Sequence, residues 1–514
     1  MKTNTIKKIV MAGSLALMAI TNACDSSFLD GPKPTGPTEE NYFLEEIEFE
    51  RAVYGVYAKM NDWYSWNGGT ADGGGNNPNF TLWYLPADDG TSSGGGDQVA
   101  LETFAPLQAS NGVTTRFYNA AYQIIGRANV VLEKIEEVQD GVYITPGLKD
   151  NHKGEALFLR AYVFFNLWNY YGIAPLVTKR LTDTEEAYVL PSEGTQLLDQ
   201  AIADLQEAQT LLPDAWSEAD RGRVTKNSAR GMLGKILVFR GTVTKNTADF
   251  ATAIAAFNQI TGVSLVANFD DNHAADTENN SESLFEYQAS QAGGGDNIWL
   301  PDDFDTNIGS MSTASYLGFE DINNWGYGGS RVAATQKLVD LFDPNDPRLP
   351  LTVDAATRTV TKYVLRDQKN QVGASSVNNP RLLRYADVLL LKAEAILRSG
   401  GSVTEAIGLI NEVRTRARNM GAGLAPADRS TGETNKDVVM QWLRDERFME
   451  LAFEEAHRWW DLRRWALVDE ITLDNAFFDS ENPNFNFEYP KHLYFPIPLS
   501  ETDRNPNMAQ NDGY

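Results

Sequence analysis

The chain has 514 residues, 42% hydrophobic and 22% charged, enough for a large folded core and too apolar for disorder. Its formal net charge of -26 argues against nucleic acid, which needs Lys and Arg stripes, and disfavours polyanionic ligands. The single cysteine, Cys24, excludes an intrachain disulfide and a Cys-based metal site, and the four histidines (His152, His273, His457, His492) show no ligand spacing.

The chain opens on Lys2, Lys7 and Lys8, followed by an uncharged apolar run from Ile9 to Ile20. That run is too short to span a bilayer comfortably and reads as the core of an export signal. Ala23 and then Cys24 follow, the arrangement at which a bacterial lipoprotein is cleaved and acylated. Thr21 stands where such signals usually carry Leu, so an ordinary signal peptide with an incidental cysteine is the alternative. The expected organisation is a signal over 1–23, a lipidated Cys24 with a tether to residue 40, and one domain over 41–514. The tether includes Asp30–Thr38, DGPKPTGPT, which cannot be helical and should run extended.

A pattern of Ala, large apolar and small or apolar residues at helical offsets recurs in the body. It appears as Ala121/Ile125/Ala128, Ala201/Leu205/Ala208, Ala253/Phe257/Ile260 and Ala406/Ile410/Val413. These offsets match the second helix of a tetratricopeptide unit, where Ala lets two helices approach closely. Candidate partner helices lie upstream at 50–60, 152–170, 228–240 and 382–398. The fold class expected is all-α dominated: about four tetratricopeptide-like helix pairs carrying irregular loop and short-strand insertions, at about 61–112 and 262–380.

The insertions hold the candidate site. They are rich in Gly, Asn and Asp, yet contain Trp63, Tyr64, Trp66, Trp83, Trp299, Trp325 and Tyr327. A flat ring exposed in a polar loop can stack on the apolar face of a sugar, while nearby carboxylates such as Asp88 and Asp89 bond its hydroxyls. Loop anchoring is the competing role for each ring. The charge-dense segment 444–465 reads instead as a structural helix, with Glu454/Arg458 and Asp461/Arg464 as ion pairs along one side. Glycoside cleavage needs two carboxyls in a matched context, and no motif supplies one. No cofactor motif is present either, since the Gly-rich stretches lack a phosphate-cradling pattern.

Several segments resemble, in order, the SusD/RagB family of nutrient-binding lipoproteins. They are GRANVVLEKI (126–135), EALFLRAYVFFNLWNYYGIAPLV (155–177), GRVTKNSARGMLGKILVF (222–239), DPNDPRL (343–349) and LRYADVLLLKAEAI (383–396). NEVRTRAR (411–418), RDERFMELAFEEAHRWWDLRRW (444–465) and YFPIPLSETDRNPNMAQNDGY (494–514) complete the series. The resemblance implies a non-catalytic surface lipoprotein of the outer membrane, anchored through Cys24. It also implies a SusC-like TonB-dependent transporter as partner, to which a captured glycan is delivered. The acidic charge favours a neutral glucan. A tetratricopeptide-type adaptor for protein or peptide is the alternative function.

Overall fold

The computed structural model describes residues 42–64, 78–92, 96–289, 332–363, 371–372 and 375–514. Helices come in neighbouring pairs along the chain. Helix α1 (Glu46–Lys59) packs on α2 (Gly112–Glu137), and α3 (Leu148–Tyr171) on α4 (Gln196–Leu211). Helix α5 (Lys226–Thr244) packs on α6 (Thr247–Asn258), and α7 (Tyr385–Arg398) on α8 (Val403–Asn419). Successive pairs stack through α2 on α3, α4 on α5 and α6 on α7, and α9 (Lys436–Leu451) closes against α7. These are the four pairs that the Ala spacing predicts. Ala121, Ala128, Ala201, Ala208, Ala253 and Ala406 are all fully buried.

The close approach has a local cause. A Cβ added at Gly234 of α5 would lie 2.2 Å from the Phe257 ring of α6, so the two helices touch where one has no side chain. Helix ends are fixed by side chains: Asn111 accepts from the Val113 and Thr114 N–H groups at the start of α2, and Ser402 and Asn435 cap α8 and α9. Helix α3 is buried almost all round, because α2, α4 and α5 surround it. Its sequence over Tyr162–Tyr171 is correspondingly apolar or aromatic apart from Asn166 and Asn169, whose side-chain amides donate to the Tyr162 and Phe165 carbonyls one turn back.

The segment 444–465 is not one helix. Helix α9 ends at Leu451 and α10 (His457–Ala466) begins after a turn in which Phe453, Glu455 and Ala456 have positive φ. Asp461 and Arg464 do pair, at 2.8 Å, but Glu454 and Arg458 do not face each other. Glu454 instead meets Arg384, Lys362 and His273, and Arg458 reaches back to Asp88. The turn rotates α10 away from α9, which breaks the four-residue spacing on which the expected pair depended. Beside it, Glu450 of α9 binds Arg348, Arg384, which immediately precedes α7, and Arg416 of α8, forming a buried hub.

Strand content is small. Strand β1 (Gly90–Ser92) pairs with β3 (Val332–Ala334), and β2 (Ser283–Glu286) with β4 (Arg381–Arg384), both antiparallel. The first insertion is more helical than its composition suggests, with short helices at Asn61–Tyr64, Pro78–Tyr84 and Asp97–Thr103. Among the described residues no helix is long and apolar enough to cross a membrane.

Candidate functional site

The two insertions meet each other at two places near the helical frame. At the first place, the Tyr64 ring stacks on Tyr287, with centroids 4.8 Å apart and planes at 28°. The Tyr64 and Tyr162 hydroxyls lie 2.7 Å apart, tying the first insertion to α3. The Ala289 N–H donates to Asn379 Oδ1 at 2.7 Å, which ties the second to the start of β4.

At the second place, β1 and β3 form a short ladder, Gly90 opposite Ala334 and Ser92 opposite Val332. Thr335 adds two bonds to it. Its N–H donates to the Asp89 carbonyl at 3.0 Å and its hydroxyl to the Asp88 carbonyl at 2.6 Å. The insertions distant in sequence therefore share one set of roots.

A cleft of about 200 Å³ opens at the ladder, lined by Asp88, Thr91, Glu102, Lys337, Phe478 and Phe485 among others. Thr91 donates its hydroxyl to Glu102 at 2.5 Å. Aromatic rings beside hydroxyl, carboxylate and ammonium groups form a surface suited to a hydroxyl-rich ligand: apolar faces to cover and polar atoms to orient. Among the described residues, no group of three or more His, Cys, Asp or Glu could hold a metal ion.

The exposure expected for Trp63, Tyr64 and Trp83 is corrected by the structure: all three are buried, at 0%, 0% and 1% exposure. Trp63 stacks on Phe117 of α2, with centroids 4.4 Å apart and planes at 3°, and its indole N–H donates to the Phe117 carbonyl at 3.0 Å. Trp83 packs edge-on against Tyr64 at 6.0 Å. Burial of all three rings fits the loop-anchoring alternative.

Asp88 and Asp89 are likewise buried at 1% each rather than offered to solvent. Asp88 accepts from Arg458 Nε and Nη2 at 2.6 and 2.9 Å and pairs with Lys337 Nζ at 2.6 Å. Burial alone would raise its pKa, but Arg458 and Lys337 outweigh burial and hold it at about 2. Asp89 accepts from the Phe453 N–H at 3.1 Å and from its own N–H, and meets no cation of its own among the described residues. Burial pushes its pKa up to about 7, and the neighbouring Asp88 charge adds to the rise.

Trp66, Trp299, Trp325, Tyr327 and Cys24 lie outside the described residues. Sequence reasoning missed Arg458, Lys337, Tyr162 and Tyr287, which hold the roots. Asp88 and Arg458 are 370 residues apart, and no local pattern links them.

Two family models match the chain. One is described as the SusD family, over residues 354–514, and the other as starch-binding and associating with the outer membrane, over 93–238. SusD-like protein P2 of Formosa agariphila is 26% identical over 92% of this chain and 94% of its own length. Starch-binding protein SusD of Bacteroides thetaiotaomicron is 31% identical over 26% of this chain and 21% of its own. Among solved structures, a SusD superfamily protein of Bacteroides vulgatus superposes with TM-score 0.70 at 25% identity, covering 92% of this chain and all of that one. Surface glycan-binding protein A of Bacteroides thetaiotaomicron, solved with laminarihexaose, superposes with TM-score 0.71 at 19% identity, covering 91% and 99%.

Proposed function

We propose, from the premise that this chain belongs to the SusD/RagB family, that it is a non-catalytic glycan-binding protein of the outer-membrane surface. The observation that carries the reading is the common rooting of the two aromatic insertions at the Tyr64–Tyr287 stack and the β1–β3 ladder. Roots held together on a rigid helical frame allow one extended ligand to meet residues of both insertions. The stacking platform is assigned to Trp66, Trp299, Trp325 and Tyr327, which lie outside the described residues. The cleft at the roots supplies polar contacts through Thr91, Glu102 and Lys337.

Glycan delivery to a SusC-like TonB-dependent transporter and anchoring through acylated Cys24 complete the proposal. The strongly acidic chain supports a neutral glucan over a polyanionic glycan. Calorimetry against starch, laminarin, alginate and pectin oligosaccharides tests the binding role, and chromatography of the same mixtures tests for turnover. Binding of a neutral glucan without product is the expected result. Product formation, or failure to bind any member, refutes the reading. Mass spectrometry of the native N-terminus and detergent pull-down from membranes test the anchor and the partner.

A further inference from the structure

The two neighbouring aspartates at the insertion roots are buried alike and served unequally. Asp88 takes all the cations within reach: Arg458 through two bonds and Lys337 through one. Asp89 is left with backbone N–H groups, that of Phe453 on Oδ2 and, with a smaller effect, its own, while its Oδ1 is buried and meets no hydrogen-bond partner among the described residues. A carboxylate needs several donors or a cation to stay ionised away from water. The groups that face Asp89 are the negative Asp88 on its own segment, Arg458 of α10, already committed to Asp88, and only backbone from the 452–456 turn.

We propose that Asp89 is carried as a neutral carboxylic acid and is the positioning residue that fastens the roots of both insertions to the turn between α9 and α10. Three pieces of chain meet on it. Its side chain holds Phe453 of the turn, its own backbone leads into β1, and its carbonyl receives Thr335 at the end of the second insertion. A neutral acid makes these contacts without an uncompensated charge among them, and ionisation places a second negative charge next to Asp88. The value of about 7 agrees with this arrangement.

The sign of the linkage is fixed by the geometry. An acid whose pKa is higher in the closed state than in the open one keeps the closed state fully favoured below its ordinary value of 3.8. That preference is lost as pH rises toward about 7, and it levels off above. Local opening of the roots should therefore become easier across that window, by up to about tenfold per pH unit.

The proposal rests on the reading of the insertions as the ligand site, but its test needs no ligand. Infrared difference spectra of the full chain, wild type minus Asp89→Asn, should show a protonated carboxyl stretch at pH 6 that disappears with a midpoint near 7. The difference isolates Asp89 from Glu455, another buried carboxyl pushed up to about 7. Amide exchange at Phe453 and Thr335, corrected for intrinsic rates, should lose protection in the wild type from pH 4.5 to 7. In Asp89→Asn, which keeps the shape without the titration, the loss should be flattened. Absence of the infrared band at pH 6 overturns the proposal. So does unchanged protection at Phe453 in the wild type, a result that depends on no variant folding. Glycan binding that fails while both readouts succeed would refute the function and leave the anchor standing.

Discussion

Replacing Arg458 by Met tests how the insertion roots are held. The side chain keeps its bulk over the Phe448 ring, on which the guanidinium stacks at 3.8 Å, and loses both bonds to Asp88. Holding Asp88 near 2 instead of its ordinary 3.8 is worth about 2 kcal/mol at neutral pH. Removing one partner of a buried pair costs about 3–5 kcal/mol when nothing else serves the stranded charge. Lys337 remains on Asp88, so the expected loss is about 2–4 kcal/mol. Lys337→Met is the comparison. That side chain is 35% exposed, so solvent screens its pair and the expected loss is below about 1 kcal/mol. Urea unfolding followed by circular dichroism measures both. The depressed Asp88 pKa adds a pH arm: its stabilisation is present above about 4 and is lost as pH falls through about 2, so the gap between wild type and Arg458→Met should narrow in acid. Equal losses for the two variants at neutral pH, or a gap that widens in acid, would refute this account of the roots.

Trp63→Ala should lower stability by about 3–5 kcal/mol in the same assay, because it empties a filled site between Phe117 and Tyr162; unchanged melting would return the ring to the ligand-facing set. Gly234→Ala should destabilise by about 1–3 kcal/mol through collision with Phe257. Gly126→Ala, where an added Cβ meets nothing within 4 Å, should stabilise by about 0.5–1 kcal/mol, and opposite signs in thermal melts check the pair. Asn111→Ala should cost about 1–2 kcal/mol, since its side chain caps α2 and also donates to the Asp97 carbonyl at 3.0 Å; hydrogen exchange at Val113 and Thr114 localises the loss.

The frame was legible in the sequence because its signal is local. A small residue at a fixed helical offset marks a helix contact whether the next unit is 50 or 150 residues away, and Ala121, Ala201, Ala253 and Ala406 each fell where two helices meet. The surroundings of the candidate site residues were less legible. Composition around Trp63, Tyr64 and Trp83 is polar and Gly-rich, which suggested exposure, yet their covers come from elsewhere in the chain. Phe117 lies on α2, Tyr162 on α3, and Tyr287 at the far insertion. The same reason hid Arg458 from Asp88. Local periodicity also failed at 452–456, where three residues with positive φ interrupt a run whose charges otherwise look continuously helical.

The contacts between the aspartates and the 453–458 stretch set an order of assembly. A chain that emerges from its N-terminus completes all four helix pairs by Asn419, well before Phe453 and Arg458 exist to receive Asp89 and Asp88. Closing so long a loop adds little entropy beyond closing a moderate one, because the cost grows only logarithmically, but closure must wait for the last part of the chain. Phe478 and Phe485 of the cleft come later still. The C-terminal stretch therefore completes the frame as well as the roots: a chain cut after Leu451 would leave Asp88 with Lys337 alone, Asp89 without the Phe453 N–H, and the buried Glu394 of α7 and Arg447 of α9 without Arg464 and Asp461.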